Sequence, residues 1–203
     1  MKVLLFPDAQ AACAAAAKAV VDQLRAKPTS VLGLATGGTM ERVYDKLAAH
    51  HASGEVSFAQ ATSFNLDEYV SLSPDHLQSY RQTMQRLLFD HIDLPEASSH
   101  LPLGDSSDPQ AEAACYEAAI AAAGGLDLQL LGIGHNGHIG FNEPTSSLGA
   151  RTRIKTLTRQ TRQANARYFG ELEDVPRYAI TMGIATILDA RHCVLVALGQ
   201  GKA

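Results

Sequence analysis

Short apolar segments alternate with helix-forming segments along most of the chain, and this alternation restricts the fold more than any other feature. The apolar segments lie at 3–6, 31–35, 61–64, 126–134 and 193–199. The helix-forming stretches lie at 9–24, 40–51, 76–92, 110–125 and 158–170, with a mixed stretch at 178–190. Parallel strands need long crossover connections, which are usually helices. The alternation therefore predicts an α/β fold with a mostly parallel, doubly wound sheet.

Composition excludes several classes of protein. The 203 residues are 46% hydrophobic and 19% charged, with a formal net charge of −4, which suits one globular domain over 1–203. A mildly acidic surface does not attract nucleic acid or an anionic membrane. No segment approaches the roughly 18 apolar residues of a membrane span. The sequence predicts a protein without nucleic-acid or membrane partners.

The N-terminus and the cysteines indicate the compartment. The apolar run Val3–Phe6 is too short for the apolar region of a signal peptide, so we expect a cytoplasmic protein. The cysteines, Cys13, Cys115 and Cys193, lack the spacing of a disulfide framework or a zinc site. We expect them to be reduced and buried.

Four unusual segments each begin where a predicted strand ends. They are "TGGT" at 36–39, "NLDEY" at 65–69, "GIGHNGH" at 132–138 and "GQGK" at 199–202. In open parallel sheets, ligands bind in the crevice outside the carboxyl ends of the strands. The four segments therefore predict a single cleft.

The segment 36–39 favours an anion. Gly37 and Gly38 allow a tight turn with exposed amides, and Thr36 and Thr39 add hydroxyl groups where a helix begins. A plain strand-to-helix turn would have the same composition. Since Arg167 and Lys202 are cations that could reach this edge, we expect a phosphate site.

Asp67 directly follows a predicted strand, which would hold its carboxylate at a fixed position in the cleft. A lone aspartate in such a place is as often a turn or cap residue. Position in the sequence leaves both interpretations open.

The segment "LGIGHNGHIGFNEP" at 131–144 allows three interpretations. Gly132, Gly134 and Gly137 match the GxGxxG fingerprint of nicotinamide-dependent dehydrogenases. That fingerprint should open a helix and precede an acidic residue by about 20 positions. Here Pro144 follows quickly and 150–162 contains no Asp or Glu, which argues against a dinucleotide site.

A metal site and an acid/base site are the other two interpretations. His135, His138 and Glu143 could ligate a metal, but the glycines among them argue against the regular helix that would place two ligands on one face. We therefore expect no metal. A histidine that titrates near neutrality, with Glu143 close in sequence, is typical of acid/base chemistry. A purely structural histidine is the commoner case.

Five motifs together resemble the glucosamine-6-phosphate deaminase (isomerase) family, in order and over essentially the whole chain. They are "LATGGT", "NLDEYV", "GIGHNGHIGFNEP", "SSLGARTRIKTLT" and "VPRYAITMGIATILDA". The resemblance implies a Rossmann-like, three-layer α/β sandwich. It also implies a hydrolase/isomerase of amino-sugar catabolism and N-acetylglucosamine utilisation, which converts glucosamine 6-phosphate and water to fructose 6-phosphate and ammonia. No metal or organic cofactor is implied.

The resemblance also implies roles for single residues. Asp67 matches the base that moves a proton between C2 and C1, and His138 matches the group that opens the sugar ring, supported by Glu143. Asn136 stands where some members have Asp and others Asn. The phosphate would bind at 36–39, with Arg167 and Lys202 as cationic anchors.

Some properties vary within the family. A galactosamine-6-phosphate deaminase, a phosphogluconolactonase and a non-catalytic sugar-phosphate sensor are alternatives on the same scaffold. Members include monomers and hexamers activated by N-acetylglucosamine 6-phosphate, and Ser146, Arg153 and Lys155 match the positions that bind this activator. Solvated charges on a surface strand are the alternative for these residues. Family chains usually continue beyond Lys202, so we expect the C-terminal segment to be lacking here.

Overall fold

The computed structural model describes residues 1–202 and contains a five-stranded and a three-stranded sheet. The strands, in chain order, are β1 (Val31–Leu34), β2 (Thr62–Asn65), β3 (Asp67–Tyr69), β4 (Ser99–His100), β5 (Leu128–Leu131), β6 (Arg153–Thr156), β7 (Tyr178–Thr181) and β8 (His192–Leu195). The helices are α1 (Ala9–Ala26), α2 (Gly38–Ala52), α3 (Tyr80–Leu87), α4 (Pro109–Ala122), α5 (Arg159–Phe169) and α6 (Ile184–Leu188).

The five-stranded sheet is parallel throughout and has the order β4-β2-β1-β5-β8. From β1 the chain builds outward through β2 to β4, and then in the opposite direction through β5 to β8. The direction therefore reverses between β1 and β5, which is the usual place for a ligand crevice. The predicted α/β fold with a mostly parallel, doubly wound sheet is confirmed.

Helix α1 shows how local sequence produces an element of the core. The Asp8 carboxylate accepts a hydrogen bond from the Ala11 N–H at 2.8 Å and begins the helix. Cys13, Val20 and Leu24 lie on one face of the helix and are buried. This face packs in the core between α2 and β5.

The second sheet, with the order β3-β7-β6, is antiparallel and was not predicted. Its strands have only three or four residues, so their periodicity is too short to identify partners 100 residues away. The register places Asp67 opposite Thr181. Asp67 therefore lies at the start of β3 rather than in a loop after a strand.

Three smaller predictions were wrong. Residues 1–6 form no strand, because no described strand supplies them with ladder hydrogen bonds. The helix predicted at 76–92 begins only at Tyr80, since the Ser79 hydroxyl accepts the Gln82 N–H and caps it. Cys115 and Cys193 are exposed, and only Cys13 is buried. Among the helices of residues 1–202, none has the length and apolar character needed to cross a membrane.

Candidate active site

The Asp67 carboxylate is buried at the junction of the two sheets, with only 5% of the residue exposed. The hydroxyl of Thr181, its neighbour across the ladder, hydrogen bonds to it. The same hydroxyl oxygen accepts the Phe141 N–H at 3.1 Å. Thr181 therefore connects Asp67 to the loop that follows β5.

Gly140 explains how closely this loop approaches Asp67. A Cβ atom at Gly140 would lie 3.0 Å from Thr181 Oγ1 and 3.3 Å from Asp67 Oδ2. The residue also has a φ of +55°, which β-branched or bulky side chains rarely adopt. A glycine here lets the backbone pass beside the carboxylate.

Burial dominates the titration of Asp67. Loss of solvation raises the pKa of its carboxyl most, the charge of Glu68 adds to this, and the Thr181 hydrogen bond opposes both; together they place the pKa at about 8. A carboxyl group with a pKa near neutrality is a stronger base than an exposed aspartate.

The other acid/base groups lie on the loop after β5, where Asn136 joins His138 to Glu143. Asn136 Oδ1 lies 2.7 Å from His138 Nδ1, and Asn136 Nδ2 donates to Glu143 Oε2 at 2.5 Å. His138 Nδ1 is 3.7 Å from the same Glu143 oxygen. Since an amide oxygen only accepts hydrogen bonds, the proton of neutral His138 lies on Nδ1. His138 Nε2 is then the nitrogen that can accept a proton.

The His138 ring packs directly over Gly134. A Cβ atom at Gly134 would lie 2.2–2.4 Å from ring atoms, so a larger residue would displace the imidazole. Burial lowers the pKa of His138, the Glu143 carboxylate raises it, and the charges of Lys202 and His135 lower it. The net effect is a lowered pKa, which favours the neutral, basic form at pH 7.

Glu143 is held in its ionised form by hydrogen bonds. Thr161 donates to Glu143 Oε1 at 2.5 Å, and Asn136 occupies the other oxygen. Burial raises the pKa of Glu143, but these hydrogen bonds and the nearby His138 outweigh it, and the pKa is lowered.

The loop after β8 approaches the loop after β5. Gly201 lies against the His135 ring, because a Cβ atom there would be 3.6 Å from the ring. Lys202 is half-buried and close enough for its charge to act on His138. The structure therefore brings the predicted residues Asp67, Asn136, His138 and Glu143 into one region, with Lys202 at its edge.

The segment 36–39 leads from β1, at the reversal of strand direction, into α2. Gly37 has a φ of +119° and precedes the first residue of the helix. No side chain caps this helix N-terminus among the described residues. The Met40 N–H donates to the Gly37 carbonyl at 2.8 Å, so the N–H groups of Gly38 and Thr39 are the ones available to an anion.

Arg167 lies on α5 and faces its neighbour. Its guanidinium lies 4.7 Å from the centroid of the Tyr168 ring and donates to the Tyr168 hydroxyl at 2.9 Å. Within residues 1–202 no hydrogen bond or ion pair joins Arg167 to 36–39 or to Lys202. Its role as a phosphate anchor stays a prediction.

Two of the predicted activator residues lie on β6, whose register with β7 pairs Arg153 with Thr181 and Lys155 with Ala179. Arg153 and Lys155 are two positions apart on β6, so they share one face of the strand. Arg153 is half-buried, which lowers its pKa, and it donates only a 3.4 Å hydrogen bond to the Arg151 carbonyl. The Ser146 hydroxyl is buried without a hydrogen-bond partner among the described residues.

Sequence reasoning missed the threonines that support the two carboxylates. Thr181 supports Asp67, and Thr158 and Thr161 support Glu143. Thr158 also caps α5, which its place before a helical pattern could have indicated. Nothing in the local sequence indicates that Thr181 lies opposite Asp67.

Fold and site together define an α/β protein with buried and loop-borne acid/base groups at the carboxyl edge of a parallel sheet. The sequence pattern of the family described as glucosamine-6-phosphate isomerases/6-phosphogluconolactonase matches residues 7–203. The chain belongs to this family, and the predicted resemblance is confirmed.

Individual relatives are similar over the whole chain. A glucosamine-6-phosphate deaminase of Shewanella loihica is 53% identical over 203 residues, which make up 100% of this chain and 76% of that protein. One of Rhodopirellula baltica is 54% identical over 203 residues, which make up 100% of this chain and 81% of that protein. A solved structure of a monomeric glucosamine-6-phosphate deaminase has a TM-score of 0.94 and 46% identity, over 96% of this chain and 81% of that one.

Proposed function

We propose that this protein deaminates and isomerises glucosamine 6-phosphate, producing fructose 6-phosphate and ammonia. The observation that carries the proposal is the close approach of the buried Asp67 to the loop that bears His138 and Glu143. Relatives that are more than half identical are named for this activity. The relatives are named as deaminases, and the family description names isomerases and a lactonase. The deaminase and isomerase names do not support the hydrolase designation that the resemblance implied for this activity.

His138 is proposed to open the sugar ring. Neutral Nε2 accepts the proton of the anomeric hydroxyl, and the resulting imidazolium returns a proton to the ring oxygen. Glu143 stabilises that imidazolium, since its carboxylate lies 3.7 Å from His138 Nδ1 and keeps a lowered pKa. The Asn136 hydrogen bond fixes the tautomer that the step requires.

Asp67 is proposed to move the proton from C2 to C1 of the open chain. Ionised Asp67 takes the C2 proton and returns it to C1, while the amino group loses a proton and O1 gains one, which leaves an imine at C2. Water adds to this imine and ammonia leaves, so that the ketone of fructose 6-phosphate forms. Burial and the Thr181 hydrogen bond hold the carboxylate in one orientation beside the reacting carbons.

We infer that the phosphate binds at 36–39, with Lys202 and Arg167 as cationic anchors. The uncapped N-terminus of α2 supports this, because its free N–H groups and dipole favour an anion. Lys202→Ala and Arg167→Ala should each raise KM about tenfold or more and change kcat less, since each loses a charge-assisted contact. Michaelis–Menten kinetics check this, and an unchanged KM in both variants would contradict the anchor assignment.

A lactonase is the alternative that the family description itself contains. Hydrolysis of a lactone needs no base that removes a proton from carbon. The dry environment and raised pKa of Asp67 therefore favour the deaminase. Preference between the glucosamine and galactosamine epimers depends on hydroxyl contacts and is left to the assay.

Regulation and assembly form a separate proposal. We infer that Ser146, Arg153 and Lys155 bind a sugar-phosphate activator such as N-acetylglucosamine 6-phosphate in a homo-oligomer. The unpartnered Ser146 hydroxyl and the two cations on one face of β6 support it. The solved deaminase of similar structure is described as monomeric, which makes the oligomeric state the first measurement.

The domain organisation, 1–203 as one domain, and the cytoplasmic location stay predictions.

One assay tests the proposed function. Ammonia and fructose 6-phosphate are measured with glucosamine 6-phosphate, and galactosamine 6-phosphate and 6-phosphogluconolactone serve as parallel substrates. We expect stoichiometric release of both products from glucosamine 6-phosphate. Preference for either other substrate would establish the corresponding alternative, and binding without turnover of any would indicate a sensor.

A further inference from the structure

The two oxygens of the Glu143 carboxylate face different parts of the molecule. Oε1 lies 2.5 Å from the Thr161 hydroxyl and 3.3 Å from the Thr158 hydroxyl, both in the first turn of α5 or at its cap. Oε2 faces Asn136 at 2.5 Å and His138 at 3.7 Å. The contacts to Oε1 therefore decide which way Oε2 points.

The two threonines form a directed chain of hydrogen bonds. Each hydroxyl has one proton, and the short contact assigns the Thr161 proton to Glu143. Thr158 then donates to Thr161 Oγ1 at 2.9 Å, while its own oxygen accepts the Thr161 N–H at 3.1 Å. Donation from Thr158 polarises the Thr161 hydroxyl and strengthens its bond to the carboxylate.

Burial and helix position add to this effect. Thr161 is 7% exposed, and the Glu143 side chain is 15% exposed, so water competes weakly for the contact. The carboxylate also lies at the N-terminal end of α5, where the helix dipole favours a negative charge. Thr161 is thus the residue through which α5 contacts the acid/base loop most directly.

We propose that Thr161 is a positioning residue, which holds Glu143 so that its second oxygen faces His138. The consequence for turnover rests on the proposed function, because it requires His138 to act as an acid and a base. The consequence for Glu143 does not, since it concerns the carboxylate in the free protein.

The charged groups around this pair are few among the described residues. His138 faces Glu143, and the charges of Lys202 and His135 also act on His138. Thr161 supplies the strongest of the hydrogen bonds that lower the pKa of Glu143. Thr161→Val keeps the shape of the side chain and removes the donor, so it should raise the Glu143 pKa by about one unit.

The experiment compares three variants with the wild type, by NMR titration of Glu143 and His138 in the protein without substrate. Thr161→Val should raise the Glu143 pKa, and Thr161→Ser, which keeps the hydroxyl, should restore it. Thr186→Val is the matched control, because the Thr186 hydroxyl donates to Glu117, a carboxylate outside the site. Thr186→Val should lower stability about as much as Thr161→Val and leave the pKa values of Glu143 and His138 unchanged.

Turnover separates positioning from a structural role. Thr161→Val should lower kcat about tenfold with KM within about twofold, since only the acid/base step is affected. An unchanged Glu143 pKa in Thr161→Val would overturn the proposal. A shifted pKa in a protein whose wild type lacks deaminase activity would support the positioning role and reject the proposed function.

A measurement on the wild type covers the case in which Thr161→Val does not fold. A hydroxyl proton held by this buried hydrogen bond should exchange slowly and give an NMR signal assigned to Thr161. Loss of that signal when Glu143 is protonated would support the contact. Absence of the signal at every pH would overturn it.

Discussion

The two carboxylates of the site differ in the number of hydrogen bonds that they receive. Asp67 is almost fully buried and has one side-chain donor, the Thr181 hydroxyl. Glu143 is less buried and is contacted by Asn136 and two threonines. Burial raises the pKa of both, but hydrogen bonds reverse the effect only for Glu143. Asp67 becomes a base with a pKa of about 8, and Glu143 stays negatively charged at neutral pH.

The largest expected effect tests whether Asp67 is the base. Asp67→Asn should lower turnover at least about 100-fold, because an amide cannot take a proton from carbon. Substrate binding should stay largely intact. Deuterium exchange at C2 measures the step directly, and near-normal exchange in the variant would exclude Asp67 from it.

The pKa of Asp67 predicts the acid side of the pH profile. Because its pKa is about 8, ionised Asp67 is the minor form at pH 7, and kcat/KM should fall about tenfold for each pH unit below 8. Thr181→Val removes the donor and should move this limb to higher pH by about one unit, whereas Thr181→Ser should keep it. Profiles of kcat/KM check both, and identical limbs in the wild type and Thr181→Val would refute the role of the donor.

Stability should change in opposite directions at the two carboxylates. The folded-state pKa of Asp67 is above the unfolded value of about 3.9, so stability falls as pH rises between the two values. Asp67→Asn should therefore raise the free energy of unfolding at pH 9, by about 1 kcal/mol or more. Glu143 has a lowered folded-state pKa, so its contribution is present above its unfolded pKa and is lost as pH falls through the folded one.

Glu143→Gln should accordingly lower the free energy of unfolding at pH 7 by about 1 kcal/mol. Urea denaturation of both variants at several pH values measures these differences. If both variants change the free energy of unfolding at pH 9 in the same direction, the two carboxylates lie in similar environments.

The smallest expected effect concerns Asn136. Asn136→Asp would place a carboxylate 2.5 Å from Glu143 Oε2, so the two groups should share a proton and one of their pKa values should rise. The charge that faces His138 then changes little, and the His138 pKa should rise by only about half a unit. NMR titration of His138 checks this, and a shift above two units would mean that both carboxylates are ionised.

Much of this site could be predicted from sequence, because its groups follow strands of clear pattern. The apolar run before Thr36 and the one before Gly132 predicted β1 and β5, and parallel strands bring such ends to one edge. Residues 36–39 and the loop with His138 were therefore correctly assigned to that edge. The family resemblance then attached chemical roles to Asp67 and His138.

The environment of Asp67 could not be predicted in this way. Its burial depends on β3 pairing with β7, and the partners Asp67 and Thr181 are far apart in the chain. Gly140 completes the enclosure from a third segment. Thr161 similarly reaches Glu143 only because α5 begins beside the loop after β5.

The sequence by itself determined the alternation of strands and helices, the residues at the strand ends and the family. These depend on local periodicity, on turn chemistry and on residue identity, which are all present in short segments. Only the tertiary structure decided which carboxylate is dry and which is hydrogen bonded. A pKa depends on the solvation and the donors around a group, and here three separate segments of the chain supply them.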